Sequence, residues 1–207
     1  VSGMRAFVLL HEMGHALGLR GDIPISGDFT TDMSVVSYNI PGAGYAIVDG
    51  EVEYASLASG RFAATPMAYD IAALEELYGP TAANTDGTEY SVATGWFTGG
   101  KRSLTILDTD GVDTFDLSGY TAGGVTLDLR ETLGPNDEWY DLKSIVGDER
   151  VFIARGTVIE NAIGTSSNDA LQGNATANHL EGGGGLDALN GDAGDDTHPV
   201  GAGSGKR

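Results

Sequence analysis

The 207-residue chain has no cysteine, which excludes a disulfide framework and any thiolate metal site. Basic residues are scarce: 11 Lys and Arg stand against 30 Asp and Glu, for a formal net charge of −19. Such a surface is repelled by nucleic acid and by anionic membranes, which excludes both as partners, and it draws cations. No apolar run approaches the ~20 residues that span a bilayer, so no membrane insertion is expected. The chain opens on Val1 with neither an initiator Met nor a signal peptide, and reads as the remainder of something longer. What is present still suffices for a core, at 41% hydrophobic residues, and 32 Gly signal a region whose backbone must turn often.

The first chemistry lies in FVLLHEMGHALGL, Phe7 to Leu19. Phe7, Leu10, Gly14 and Leu17 recur at helical spacing and Gly18 suits a left-handed terminator, so a helix is expected over residues 1–17. On it His11 and His15 are four apart, on one face, with Cβ atoms about 5 to 6 Å from each other. Two imidazoles so placed can share one Zn²⁺. Glu12 stands beside them, where a carboxylate can act as general base in a metal-assisted hydrolysis.

Between Leu19 and Thr65 the chain is polar and Gly-rich, broken by Pro24 and Pro41, with short strands expected around Ala46 to Val52. Thr65 then offers an N-cap, Pro66 a first helical residue, and Gly79 with Pro80 a stop. Met67, Ile71, Leu74 and Tyr78 line one face of that helix. After Pro80 the period changes to two, in SLTILD, TFDL, VTLDLR and VFIARGTVIE. The expected organisation is α+β: a helical part over residues 1–80 and an all-β domain over residues 81–207.

From Gly164 the sequence repeats every nine residues: GTSSNDALQ, GNATANHLE, GGGGLDALN and GDAGDDTHP, ending at Pro199. The third copy matches the calcium-binding nonapeptide GGxGxDxUx at every fixed position, and the others match in part. Glycines, among them Gly164 and Gly182, allow the tight turn and present carbonyl oxygens. The sixth-position carboxylate supplies a hard anionic ligand, and the eighth residue fills a narrow core between parallel strands. Two copies make one coil of such a β-roll, expected over residues 164–199. Copies one and three then bring Asp169 near Asp187, and copies two and four bring Asn178 near Asp196. The first side is expected to bind Ca²⁺ better, because Asn178 carries no charge and His198 stands where an apolar residue belongs.

Taken together, HEMGHALGL, SYN at Ser37 to Asn39, PMAYDIAALEELYG from Pro66 to Gly79, DTFDLSGYT from Asp113 to Thr121 and the nonapeptides resemble the serralysin-type secreted zinc metalloproteases, a branch of the metzincins. The resemblance implies the helical C-terminal part of a metzincin catalytic domain followed by a calcium-binding parallel β-roll. It implies zinc held by His11 and His15, Glu12 as base and proton shuttle, and Tyr38 supporting the oxyanion. It implies calcium at Asp108 and Asp113 ahead of the roll, and it implies an extracellular enzyme hydrolysing peptide bonds in proteins or peptides.

The chain departs from the family pattern in places. HExxHxxGxxH ends here on Gly21 in place of the third histidine, and Asp22, one residue later, is either a substitute ligand or a loop residue. Val36 stands where the family has a methionine beneath the metal, and Asp110 replaces a glycine. A strand-rich subdomain that precedes the active-site helix in the family is not part of this sequence. A different class of function follows if the protease half has decayed: a calcium-binding secretion or adhesion module.

Overall fold

The computed structural model describes residues 2–19, 45–48, 51–54, 62–80, 82–132 and 144–199. The chain divides into two compact units, one of residues 1–80 with 101–105, the other of residues 81–100 with 106–207.

The first unit opens with helix α1, Ser2–Ala16, closed by Gly18 at a φ of 95°. Strands β1 (Tyr45–Val48) and β2 (Glu51–Tyr54) form an antiparallel hairpin. Strand β3 (Phe62–Ala63) pairs in parallel with the start of β5 (Arg102–Ile106), aligning Phe62 with Arg102 and Ala63 with Ser103.

Helix α2 spans Ala68–Tyr78. It starts later than the Thr65 cap predicts, because Thr65 is engaged elsewhere: its Oγ1 accepts the N–H of Thr105 at 2.7 Å. Met67 is the N-cap, and its N–H donates to the Asp70 carboxylate at 2.7 Å, which satisfies one orphan donor of the first turn. Met67 and Ile71 are buried as their spacing predicts, but Tyr78 at the end of the same face is 69% exposed. The Tyr78 hydroxyl instead donates to Leu17 O at 2.9 Å, tying the end of α2 to the end of α1.

The second unit is a stack of three-residue strands. Strands β4 (Glu89–Ser91), β6 (Thr114–Asp116), β10 (Asn161–Ile163) and β12 (His179–Glu181) form an all-parallel sheet in the spatial order β12-β10-β6-β4. Strands β7 (Thr126–Asp128), β11 (Ala170–Gln172) and β13 (Ala188–Asn190) form a second parallel ladder. A hairpin of β8 (Ser144–Val146) and β9 (Glu149–Ile153) extends that ladder antiparallel beside β7.

In a strand of three residues the central side chain points opposite to its neighbours, so one position per coil fills the core. The registers align Tyr90, Phe115, Ala162 and Leu180 in one column and Leu127, Leu171 and Leu189 in the other. All but Leu189 are essentially shielded from solvent. Edge-to-face ring contacts add Trp96 and Phe97: Tyr90 to Trp96 at 4.9 Å, Tyr90 to Phe115 at 5.6 Å, Phe97 to Phe115 at 5.5 Å. The parallel stack thus begins at β4, well upstream of the nine-residue repeats. The fold is mostly β, with two helices among the described residues.

Candidate metal sites

Helix α1 places His11 and His15 one turn apart, with their Nε2 atoms 3.1 Å from each other and the rings nearly perpendicular. Zinc–nitrogen bonds of ~2.0 to 2.1 Å in a tetrahedral site set two ligating nitrogens roughly 3.3 Å apart, so the pair is at the spacing an ion requires. His15 Nδ1 lies 3.0 Å from Leu19 O. A carbonyl can only accept, so Nδ1 carries the proton and Nε2 presents its lone pair. That second bond fixes ring orientation as it does for metal-ligating histidines generally. The tail of the helix makes it possible, because Leu19 N–H turns back onto Gly14 O at 3.0 Å. His11 is buried and Glu12, next to it, is exposed. The donor set fits zinc as far as it goes. Gly21, Asp22, Val36 and Tyr38 lie outside the described residues.

In the roll, the carboxylates predicted from the repeat converge in register. Asp187 Oδ1 accepts Asp169 N–H at 3.0 Å, and Asp196 Oδ1 accepts Asn178 N–H at 2.9 Å. Asp169 is buried and multiply bonded: Oδ2 accepts Thr165 N–H at 2.7 Å and Oδ1 accepts Val125 N–H at 2.7 Å. Asp187 is 9% exposed, and its Oδ2 has no partner. A buried carboxylate oxygen left unpaired costs several kcal/mol unless a positive charge meets it.

Glycine is required where these side chains fold back. A Cβ on Gly164 would sit 2.6 Å from Gly182 O and 2.7 Å from Asp169 Oδ2, and a Cβ on Gly182 would collide with Asp187 Oδ2. The turns therefore bring carboxylate and carbonyl oxygens together, the donor chemistry of Ca²⁺. Asp196 is half-buried, and His198 is exposed beyond it.

A second acidic cluster stands ahead of the repeats. Asp108 is 1% exposed, with Oδ2 accepting the Tyr90 hydroxyl at 2.6 Å and Oδ1 unpartnered. Asp113, equally buried, accepts Thr88 N–H at 2.6 Å. Burial pushes its carboxyl up to about 6; the Thr88 N–H opposes this, and the charges of Asp108 and Glu160 add to it. Glu160 closes the group, its Oε2 accepting Asp113 N–H at 2.8 Å.

Sequence reasoning missed Glu160. Its signal is faint but readable: residues 155–163 are a degenerate copy in the same nine-residue register, with Glu160 at the sixth position and the buried Ala162 at the eighth. Among the described residues no three His, Asp or Glu side chains are gathered tightly enough to hold an ion by themselves.

The pattern of the family Peptidase M10 serralysin C terminal matches residues 70–204. The chain belongs to this family. Metalloprotease AprA of Pseudomonas entomophila (strain L48) is 33% identical over 193 residues, covering 84% of this chain and 37% of that protein. Serralysin of Photorhabdus laumondii subsp. laumondii is 34% identical over 197 residues, covering 87% of the chain and 39% of its own length. Serralysin C of Dickeya chrysanthemi is 36% identical over 184 residues, covering 78% and 34% respectively. The chain thus spans a little over a third of the length of these relatives. The serralysin C-terminal match takes in Asp108, Asp113, Glu160 and all four repeats, and it leaves α1 outside.

Proposed function

We propose that the chain carries the zinc-binding helix and the calcium-binding β-roll of a secreted zinc metalloendopeptidase that hydrolyses peptide bonds of extracellular proteins. The observation that carries this reading is the His11–His15 pair, Nε2 atoms 3.1 Å apart with His15 held by Leu19 O, in a chain of the serralysin C-terminal family. Zinc, when bound, supplies a Lewis acid that polarises the scissile carbonyl. His11 and His15 would hold it. Glu12 would take the proton of the attacking water at its carboxylate and return it to the leaving amine. Tyr38 would donate from its hydroxyl to the oxyanion, and Asp22 is the candidate third ligand.

Calcium would be held by Asp169, Asp187 and Asp196 with main-chain oxygens of the turns opened by Gly164 and Gly182. Asp108 and Asp113 would hold it ahead of the roll, with Glu160 added to them. Residues 1–80 then form the protease part and residues 81–207 the roll-bearing part. Zinc content and casein cleavage test the reading on protein supplied with both metals. One zinc per chain, with cleavage abolished in Glu12→Ala, is the expected result. Substoichiometric zinc, or cleavage that Glu12→Ala leaves intact, sinks it.

A second reading is favoured by Gly21 in the third-ligand position and by a family match that starts only at Asp70. On it the chain is a catalytically silent calcium-binding module for secretion or adhesion. It predicts calcium-dependent β-structure with no zinc and no cleavage.

A further inference from the structure

One bond recurs up the stack. The side chain just before a strand accepts the main-chain N–H of the residue at the same position one coil earlier. Asp113 takes Thr88 N–H, Glu160 takes Asp113 N–H and Asp196 takes Asn178 N–H on one sheet; Asp169 takes Val125 N–H and Asp187 takes Asp169 N–H on the other.

Asn178 over Glu160 reverses the pattern, because there the side chain donates. Asn178 Nδ2 reaches Glu160 O at 3.1 Å and Ile159 O at 3.3 Å, while its Oδ1 accepts Asn174 N–H at 2.8 Å. Asn174 adds its own amide, with Nδ2 reaching Ile159 O at 2.8 Å and Leu129 O at 3.3 Å. Both side chains are at least nine-tenths buried.

The chemistry differs from that of the outer coils. A carboxylate facing carbonyl oxygens across a turn brings like partial charges together, and a cation must separate them. An amide NH₂ presents positive hydrogens to the same oxygens and needs no ion. Burial keeps water from competing for those bonds.

We infer that Asn174 and Asn178 form a metal-free clasp, closing the first coil of the roll onto Leu129 and the Ile159–Glu160 turn, so that calcium is required only from the Asp169–Asp187 and Asn178–Asp196 layers outward. The roll then grows from a template that is ordered before any ion binds. The calcium requirement of the outer layers rests on the reading proposed above. The clasp itself rests on hydrogen bonds alone.

Amide hydrogen exchange on the whole chain, with calcium chloride or with chelator, tests this. In chelator the wild type should keep protection at Asn161–Ile163 and at His179, whose N–H bonds Glu160 O at 3.0 Å, and lose it at Ala188–Asn190, and calcium should protect both sets. Asn178→Asp replaces the donor by an oxygen facing Glu160 O and Ile159 O. Its His179 amide should exchange roughly tenfold or more faster in chelator, the scale set by leaving buried carbonyl partners unpaired, and should recover in calcium. That recovery shows the variant folds. Joint loss of both sets in chelated wild type overturns the clasp, as does wild-type protection of Asn178→Asp in chelator. If calcium changes protection nowhere, the calcium reading of the outer layers fails, while Asn178→Asp in chelator still decides the clasp.

Discussion

Tyr90 donates its hydroxyl proton to Asp108 Oδ2 at 2.6 Å, and the other oxygen of that carboxylate is buried with no partner. Asn84 Nδ2 donates to the same hydroxyl at 3.1 Å, so the phenol proton has only Asp108 to serve. Burial, then the bond to Asp108, raises the Tyr90 pKa and keeps the phenol a donor. One oxygen is thereby held still, and on the calcium reading proposed above its unpartnered twin would be the one to meet the ion. Tyr90→Phe should keep the aromatic packing and weaken calcium binding at this cluster by roughly tenfold, the worth of a hydrogen bond to a charged group. Calorimetric titration of the variant should show one weakened class of site; unchanged affinities would remove Tyr90 from that role.

Asp113 gives a pH dependence of definite sign. Its carboxyl is raised to about 6 in the fold, above the ordinary value near ~3.9 of an unfolded chain. The folded state therefore holds the proton more tightly. The stability it contributes is full below pH ~4 and is lost as pH rises through about 6. In chelator, thermal unfolding of the wild type should lose at most about 3 kcal/mol relative to Asp113→Asn between those limits. With calcium bound the penalty should vanish. A flat difference in chelator would contradict the assignment.

Loss of one imidazole should be decisive for zinc. His11→Ala leaves His15 on Leu19 O but removes the second nitrogen, 3.1 Å away. Zinc affinity measured by equilibrium dialysis should fall at least the roughly 10- to 100-fold that loss of a supporting partner costs, while calcium binding stays as it was. Equal zinc retention would mean that the pair is a packed histidine contact.

Glu149 predicts a large effect on stability. It is fully buried, and its carboxylate accepts Thr98 N–H at 2.9 Å, Gly99 N–H at 3.0 Å and the Thr98 hydroxyl at 2.7 Å. Glu149→Ala removes the buried acceptor that ties Thr98 and Gly99 down and leaves a cavity in its place, and should cost about 2 to 4 kcal/mol in denaturant unfolding, with calcium present. Glu149→Gln should recover part of it, since an amide oxygen still accepts.

Much of this was legible because it is local or periodic. The four-residue spacing of His11 and His15 needs only a helix, and the eighteen-residue spacing of Asp169 and Asp187 needs only a two-copy coil. What escaped depends on partners distant in sequence. Thr65 has every local mark of an N-cap, yet its hydroxyl serves Thr105 forty residues on and α2 starts at Ala68. The copy that holds Glu160 keeps Gly156 but has Arg155 and Val158 where the other glycines of the repeat belong, while Glu160 keeps its place in the column. The Tyr90–Asp108 bond spans eighteen residues with no period to announce it.

The upward-reaching bonds give the stack a polarity. Asp187 serves Asp169, and Asp169 serves Val125; the coil that follows always completes the coil before it. Excision of one copy would therefore injure its predecessor and leave its successor's own acceptors whole. Damage in such an array has a direction, and the tolerance of the roll to insertion should differ between the two ends of any coil.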